Sequence, residues 1–247
     1  MSDEQVSQIP APAIPTLGRL LRREDFTAER ARRIAEEVLK RGATPLMSEE
    51  ARKASLTAFR ASLAPDDDVW VFGYGSLMWN PVIRVAESRR AHIRGYHRTF
   101  CLTMSAGRGT VEKPGLMLAI DRGGSCAGIA HCIKAAEVES ELTILWYREM
   151  LSGAYEPRWI SAEIDELGRR RVLAFVINRS HPRYEGSLDP AEAALRIAHA
   201  EGFLGSNRDY LFRTVAHLDE KGLADAPLAR LAERVAAIAA QTVSTGD

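Results

Sequence analysis

The chain has 247 residues, with 33 Lys+Arg balancing 33 Asp+Glu to a formal net charge of zero. That length suits one large domain, or a core with appendages, and suffices for a sizeable buried core. The balanced charge excludes a global pull toward nucleic acid or an anionic membrane. No apolar run approaches the ~20 residues that span a bilayer. The opening MSDEQVSQIPAPAIPTLG lacks the basic and apolar regions of a secretory signal, so the default location is cytoplasmic. Cys101, Cys126 and Cys132 are odd in number and lie in apolar, strand-like stretches, which reads as free buried thiols.

In chain order, residues 1–17 hold three prolines and little apolar pattern, as in a flexible tail. Residues 18–66 read as a helical appendage, with two helices between about Arg23 and Leu63 broken near Gly42 to Pro45. Pro65-Asp66-Asp67-Asp68 then turns the chain into a strand, Val69 to Phe72, rich in β-branched and aromatic residues. Gly73-Tyr74-Gly75-Ser76-Leu77 follows. Two glycines around a tyrosine suit a cradle aiming backbone N–H groups at an oxygen, and they equally suit an ordinary tight turn.

His97 to Met104 is the next strand, and Lys113-Pro114-Gly115 has the order of a type II turn. Leu116, Leu118 and Ile120 alternate, and Asp121 to Gly124 reads as a hairpin turn into Cys126 to Ile133. One helix spans about Ala136 to Leu151. Strands near Trp159 to Ile164 and Arg171 to Ile177 flank a turn at Glu166 to Arg169. Helices return at Asp189-Pro190, an N-cap followed by proline at the first helical position. Strands grouped around one helix, with helices at both ends, predict an α+β fold with a mixed or antiparallel sheet or barrel.

Within the central helix, Leu142, Leu145 and Trp146 form an apolar stripe whose continuation lands on Glu149. Glu137, Glu139 and Glu141 suit the helix N-terminus, whereas Glu149 sits where the dipole disfavours an anion. A carboxylate that breaks two local rules is a candidate functional group, and desolvation would make it a better base near neutral pH. The alternative is a glutamate that reaches water past the helix end, or one that pairs with Arg148.

Other motifs fail. Met78 stands where a dinucleotide fingerprint needs a small residue, and no P-loop lysine follows. Ser76 is not in a nucleophile elbow and reads as a loop hydrogen-bonder. His131 and Cys132 would point to opposite faces of a strand, so with Cys126 they make a poor metal site.

Several segments together resemble the ChaC-like gamma-glutamylcyclotransferases. These are Val71 to Trp79, Arg94 to Phe100, Arg108 to Gly115, Trp146 to Met150, Gly153-Ala154-Tyr155 and Gly205 to Leu211. The resemblance runs in order from about residue 69 to about 222. It implies a small mixed β-barrel with flanking helices, of the gamma-glutamylcyclotransferase-like fold, over 67–247. It further implies cleavage of glutathione to 5-oxoproline and cysteinylglycine with no cofactor; the alternatives are a cyclotransferase acting on other γ-glutamyl peptides or amines, or a non-catalytic glutathione-binding module. Glu149 corresponds to the family's catalytic glutamate, and Phe72, Gly73, Tyr74, Gly75, Ser76 and Leu77 to its substrate loop. Arg108 and Lys113 are candidates for the far end of glutathione, with a solvated loop as the alternative. Tyr155 and Tyr210 are candidates for lining the site or for core tyrosines with satisfied hydroxyls. No nucleic acid or membrane partner is expected.

Overall fold

A computed structural model describes residues 21–40 and 46–244. The expected tail at 1–17 and the break near Gly42 to Pro45 lie outside the described residues. Two helices come first, α1 (Ala28–Lys40) and α2 (Glu49–Arg60). Five strands then close a barrel: β1 (Val69–Gly73), β2 (Glu87–Met104), β3 (Gly115–Ile133), β4 (Tyr155–Ile164) and β5 (Gly168–Ile177). Helix α3 (Val138–Glu149) joins β3 to β4, and α4 (Pro190–His199), α5 (Asn207–Glu220) and α6 (Ala226–Ser244) follow the barrel.

The strand order is β1-β3-β2-β4-β5, closed by β5 lying parallel to β1 and β3. The remaining pairings are antiparallel, so the barrel is mixed. Its frame is one long ribbon, in which β2 and β3 pair from Glu87↔Cys132 to Met104↔Gly115. The predicted hairpin at Asp121 to Gly124 is therefore incorrect, because those residues lie inside β3. There the register steps from Arg94↔Ser125 to Tyr96↔Arg122. Gly95, Gly123 and Gly124 take positive φ of 83°, 100° and 69° at that step. Glycine tolerates such angles, and a bulge bends and twists a ribbon without ending it. The same signal that marks a hairpin here marks the bend that curls the ribbon.

Two smaller expectations also change. The first half of β2 is a strand despite its charges, because Ala91 and Ile93 point into the core while Arg90 and Arg94 face outward. Gly115 opens β3 without a positive φ, so no type II turn forms there. A Cβ at Gly115 would meet the Arg108 carbonyl at 2.6 Å, and that close approach calls for glycine.

The barrel interior packs against α4 to α6 in one cluster, and α3 covers the opposite side. Asp189 caps α4 through the N–H of Ala191 at 2.8 Å. Leu142, Leu145 and Trp146 of α3 are buried against Val71 and Phe175 of the barrel. Helix α2 joins this second cluster through Phe59, whose ring lies 5.1 Å from Trp146 and 4.9 Å from Trp159. Arg60 donates to the Glu139 carbonyl and Trp146 Nε1 to Ser55 Oγ, at 2.5 and 3.2 Å. Val38 of α1 is buried, whereas Leu39 is 59 % exposed.

Removal of residues 1–64 should therefore strip the cover from Trp146 and Trp159 and leave the protein insoluble or markedly destabilised. The single change Phe59→Ala should cost about 3–5 kcal/mol, the usual range for emptying a buried aromatic site. Urea titration checks both, and an unchanged midpoint in either variant would contradict this packing.

Candidate active site

Helix α3 ends at Glu149, and the apolar stripe that buries Leu142 and Trp146 in the core delivers this last residue into a cavity. The cavity is about 310 Å³, and its walls include Tyr74, Gly75, Ser76, Arg108, Tyr155 and Tyr210. The Glu149 side chain is 15 % exposed. Burial raises its pKa above the ordinary 4.5, while the neighbouring Arg148 charge and hydrogen bond oppose that rise.

Arg148 ties the parts together. Its Nε donates to Glu149 Oε1 at 2.8 Å, one Nη to Ser76 Oγ at 2.8 Å, and the other to the Asn80 carbonyl. The pairing of Glu149 with Arg148 thus occurs, but inside the cavity rather than in bulk water. One planar guanidinium with several donors in fixed directions can hold a carboxylate and a loop in register.

The loop after β1 is closed by a short 3-10 turn, Ser76–Met78, with Met78 N–H donating to the Gly75 carbonyl at 2.9 Å. A Cβ on Gly75 would lie 3.0 Å from the Tyr210 hydroxyl and 3.4 Å from Leu118. Crowding at that position calls for a glycine. His131 of β3 supports the loop from beneath. Its Nε2 faces the Leu77 carbonyl at 2.9 Å and its Nδ1 faces Ser88 Oγ at 2.8 Å. Only an imidazole protonated at Nε2 alone can donate to that carbonyl and accept from that hydroxyl. Burial pushes its pKa down to about 4.

Three tyrosines surround the carboxylate. Burial raises Tyr74 and Tyr155 well above the usual phenol range and takes Tyr210 to about 12, with the charge of Glu149 adding to each. All three remain hydroxyl donors at neutral pH. Tyr74 donates to the Phe175 carbonyl at 2.8 Å and Tyr155 to the Leu118 carbonyl at 2.9 Å, which fixes their rings. Arg108 lies over the Tyr210 ring, 5.1 Å from its centre, and donates to the Ser206 carbonyl at 3.1 Å.

Not every expected residue meets here. Phe72 is fully buried in the barrel core, and Gly73 pairs with Ile129 in the ladder, so both support the loop from behind. Lys113 is exposed in a turn closed by Thr110 N–H to its own carbonyl, outside the cavity wall. The structure also adds residues that sequence patterning missed. Phe26 lies 5.9 Å from the Arg148 guanidinium, and Ile34 and Val38 of α1 line the same cavity. Arg183, from the loop after β5, lines it from another side. Among the described residues, no group of three His, Cys, Asp or Glu side chains is placed to hold a metal ion. No described helix is long and apolar enough to cross a membrane.

Comparison with known proteins gives a consistent picture. The family model for ChaC-like proteins matches residues 69–238. Over 201 residues the chain is 40% identical to the glutathione-specific gamma-glutamylcyclotransferase of Escherichia coli (strain K12), covering 81% of this chain and 87% of that protein. The Homo sapiens glutathione-specific gamma-glutamylcyclotransferase 1 is 31% identical over 149 residues, 59% of this chain and 67% of that protein. Among solved structures, a glutathione-specific gamma-glutamyl cyclotransferase from yeast superposes with a TM-score of 0.61 at 20% identity. It covers 69% of this chain and 96% of that one, a likeness of fold.

The neutral His131 has a consequence for stability. Its folded pKa lies below its unfolded value, so the unfolded chain takes up a proton first as pH falls. Stability should drop between pH 6.5 and about 4, by roughly 3 kcal/mol at 1.36 kcal/mol per decade. In His131→Gln this part of the pH dependence should vanish, as measured by urea midpoints across that window.

Proposed function

We propose, because the chain belongs to the ChaC-like family, that it is a glutathione-specific gamma-glutamylcyclotransferase releasing 5-oxoproline and cysteinylglycine. The observation that carries this reading is Glu149, a carboxylate delivered by an apolar helix face into a tyrosine-lined cavity beside the β1 loop.

The reaction is an internal aminolysis. The α-amine of the γ-glutamyl group attacks its own γ-carbonyl carbon, a C–N bond closes the five-membered lactam, and the original amide C–N bond breaks. At neutral pH that amine is mostly ammonium and cannot attack. Glu149, ionised beside Arg148, takes its proton and later returns one to the departing cysteinyl nitrogen. Negative charge developing on the γ-oxygen needs donors, which the backbone N–H groups of the Tyr74 to Leu77 loop supply. The walls hold amine and carbonyl together, an orientation effect worth several kcal/mol in favourable intramolecular cases. No covalent enzyme intermediate is required.

The balanced net charge supports a small-molecule rather than a nucleic-acid partner. Cys101, Cys126 and Cys132 are unpaired and buried, which fits a reducing, cytoplasmic setting.

Two measurements test the reading. Glu149→Gln should still bind glutathione but lower 5-oxoproline release by at least about 10²-fold, the low end for losing a general base. In the wild type, kcat/KM should fall on acidification through a pKa above 4.5, because the raised pKa protonates the base early. Near-normal turnover by the variant would remove Glu149 from the mechanism.

The second variant is Gly75→Val. Its side chain must displace the Tyr210 hydroxyl or Leu118, so glutathione binding should be lost while circular dichroism is unchanged. Wild-type affinity in calorimetry would make the loop a structural turn only.

A further inference from the structure

Charge within the cavity is unevenly paired. Two carboxylates of the described residues reach it, and each has a guanidinium of its own, Arg30 on Asp25 and Arg148 on Glu149. Arg108 and Arg183 bring further positive charge to the same walls.

Arg183 is the most exceptional of these. The Thr103 N–H donates to its carbonyl at 2.9 Å, and its own N–H donates to His181 Nδ1 at 3.2 Å, so its backbone is pinned. Its guanidinium forms no ion pair among the described residues, and its buried Nε has no hydrogen-bond partner. Besides burial, the group that acts on its charge is the Tyr155 phenol, not a carboxylate. Burying a guanidinium without an anion is costly, and native structures seldom leave such a donor unsatisfied without a functional reason.

Resting on the reaction assigned above, we propose that Arg183 seats one of the two carboxylates of the γ-glutamyl peptide. Arg108, beside Tyr210, provides the seat for the other. Tyr155 and Tyr210 line the same cavity as the two arginines and Glu149, with Arg108 over the Tyr210 ring at 5.1 Å. A substrate with a carboxylate at each end would be stretched across the base, with its γ-amide in the middle. The fork of guanidinium N–H donors matches a carboxylate in shape as well as charge. Arg183 on this view is a binding residue that sets preference for dianionic γ-glutamyl peptides.

The test uses the full chain, with 5-oxoproline release and calorimetric binding of glutathione as readouts. Arg183→Gln should raise KM and Kd by at least about tenfold, the loss expected for charge-assisted hydrogen bonds, with kcat within about threefold of wild type. Arg183→Lys should recover part of the loss. Arg183→Met repeats the test if the glutamine variant lacks a cooperative melting transition. Glutathione carrying an amide at the glycyl end, and glutathione carrying one at the γ-glutamyl α-carboxyl, separate the two sources of the anion. The amide whose penalty is not additive with Arg183→Gln identifies the carboxylate that Arg183 holds. Unchanged KM and Kd in Arg183→Gln, or full additivity with both amides, would overturn the proposal. Wild-type protein that binds glutathione but releases no 5-oxoproline would instead overturn the assigned reaction, and the calorimetric comparison would still decide Arg183.

Discussion

The guanidinium of Arg148 is the interaction around which the cavity is organised. It reaches a carboxylate at the end of α3, a serine hydroxyl in the loop after β1, and a backbone carbonyl just beyond that loop. These groups come from segments about 70 residues apart in sequence, and one planar cation fixes their mutual geometry. The pairing also sets the chemistry. Burial alone would favour a neutral Glu149, whereas Arg148 favours the carboxylate, so the group is poised between two opposing effects. A base must hold its charge before the substrate arrives and must still accept a proton afterward. Opposed influences of this kind let one group both carry a charge and accept a proton.

The barrel makes that meeting possible. Strand β1 leads into β2 and helix α3 leaves β3, and the antiparallel pairing that sets Glu87 opposite Cys132 returns both to one end of the ribbon, where β5 against β1 closes the sheet. Closure depends on the bulge at Gly95, Gly123 and Gly124, which bends a ribbon that would otherwise run straight. His131 then fastens the ribbon to the loop through the Leu77 carbonyl. A histidine at that place works as a neutral donor and acceptor, and its depressed pKa follows from being sealed under the loop. The bend and the histidine that fastens the loop both belong to the β2–β3 ribbon.

How much of this could be read from the residues depends on the range of each interaction. Glu149 was legible because helix periodicity is local: three apolar residues define a face, and the fourth position betrays the exception. The Gly-Tyr-Gly-Ser loop was legible for the same reason, and the resemblance to a known family sharpened both. The bend in β3 was misread because Asp-Arg-Gly-Gly carries the same signal for a hairpin as for a bulge. Only the pairing partner, Gly95 on the other strand, distinguishes them. Lys113 looked suitable as a cation on a polar segment, yet its turn points it to solvent. Arg183 and Phe26 carried no local signal at all. A single arginine in a loop, or a phenylalanine ahead of a charged helix, acquires meaning only from what it faces.

The N-terminal helices extend this point to the whole site. They precede the region that the ChaC-like family model matches, yet Phe26, Ile34 and Val38 form part of the cavity wall. The segment that leads into α1 is tied down by Glu141, a fully buried carboxylate in the first turns of α3. It accepts from Arg23 at 2.7 Å and from the Arg84 N–H at 2.9 Å, with the Ser140 hydroxyl also on it. These bonds hold its pKa below the ordinary value despite burial. The two ends of one helix therefore carry two buried glutamates with opposite fates. Glu141 is saturated with donors, stays ionised, and anchors the covering segment. Glu149 has a single arginine and a dry, partly open setting, which leaves it able to exchange a proton. The covering segment helps to create that dryness, since Phe26 stacks over the very arginine that holds Glu149. A saturated carboxylate at the start of α3 thus helps to keep the reactive one at its end desolvated.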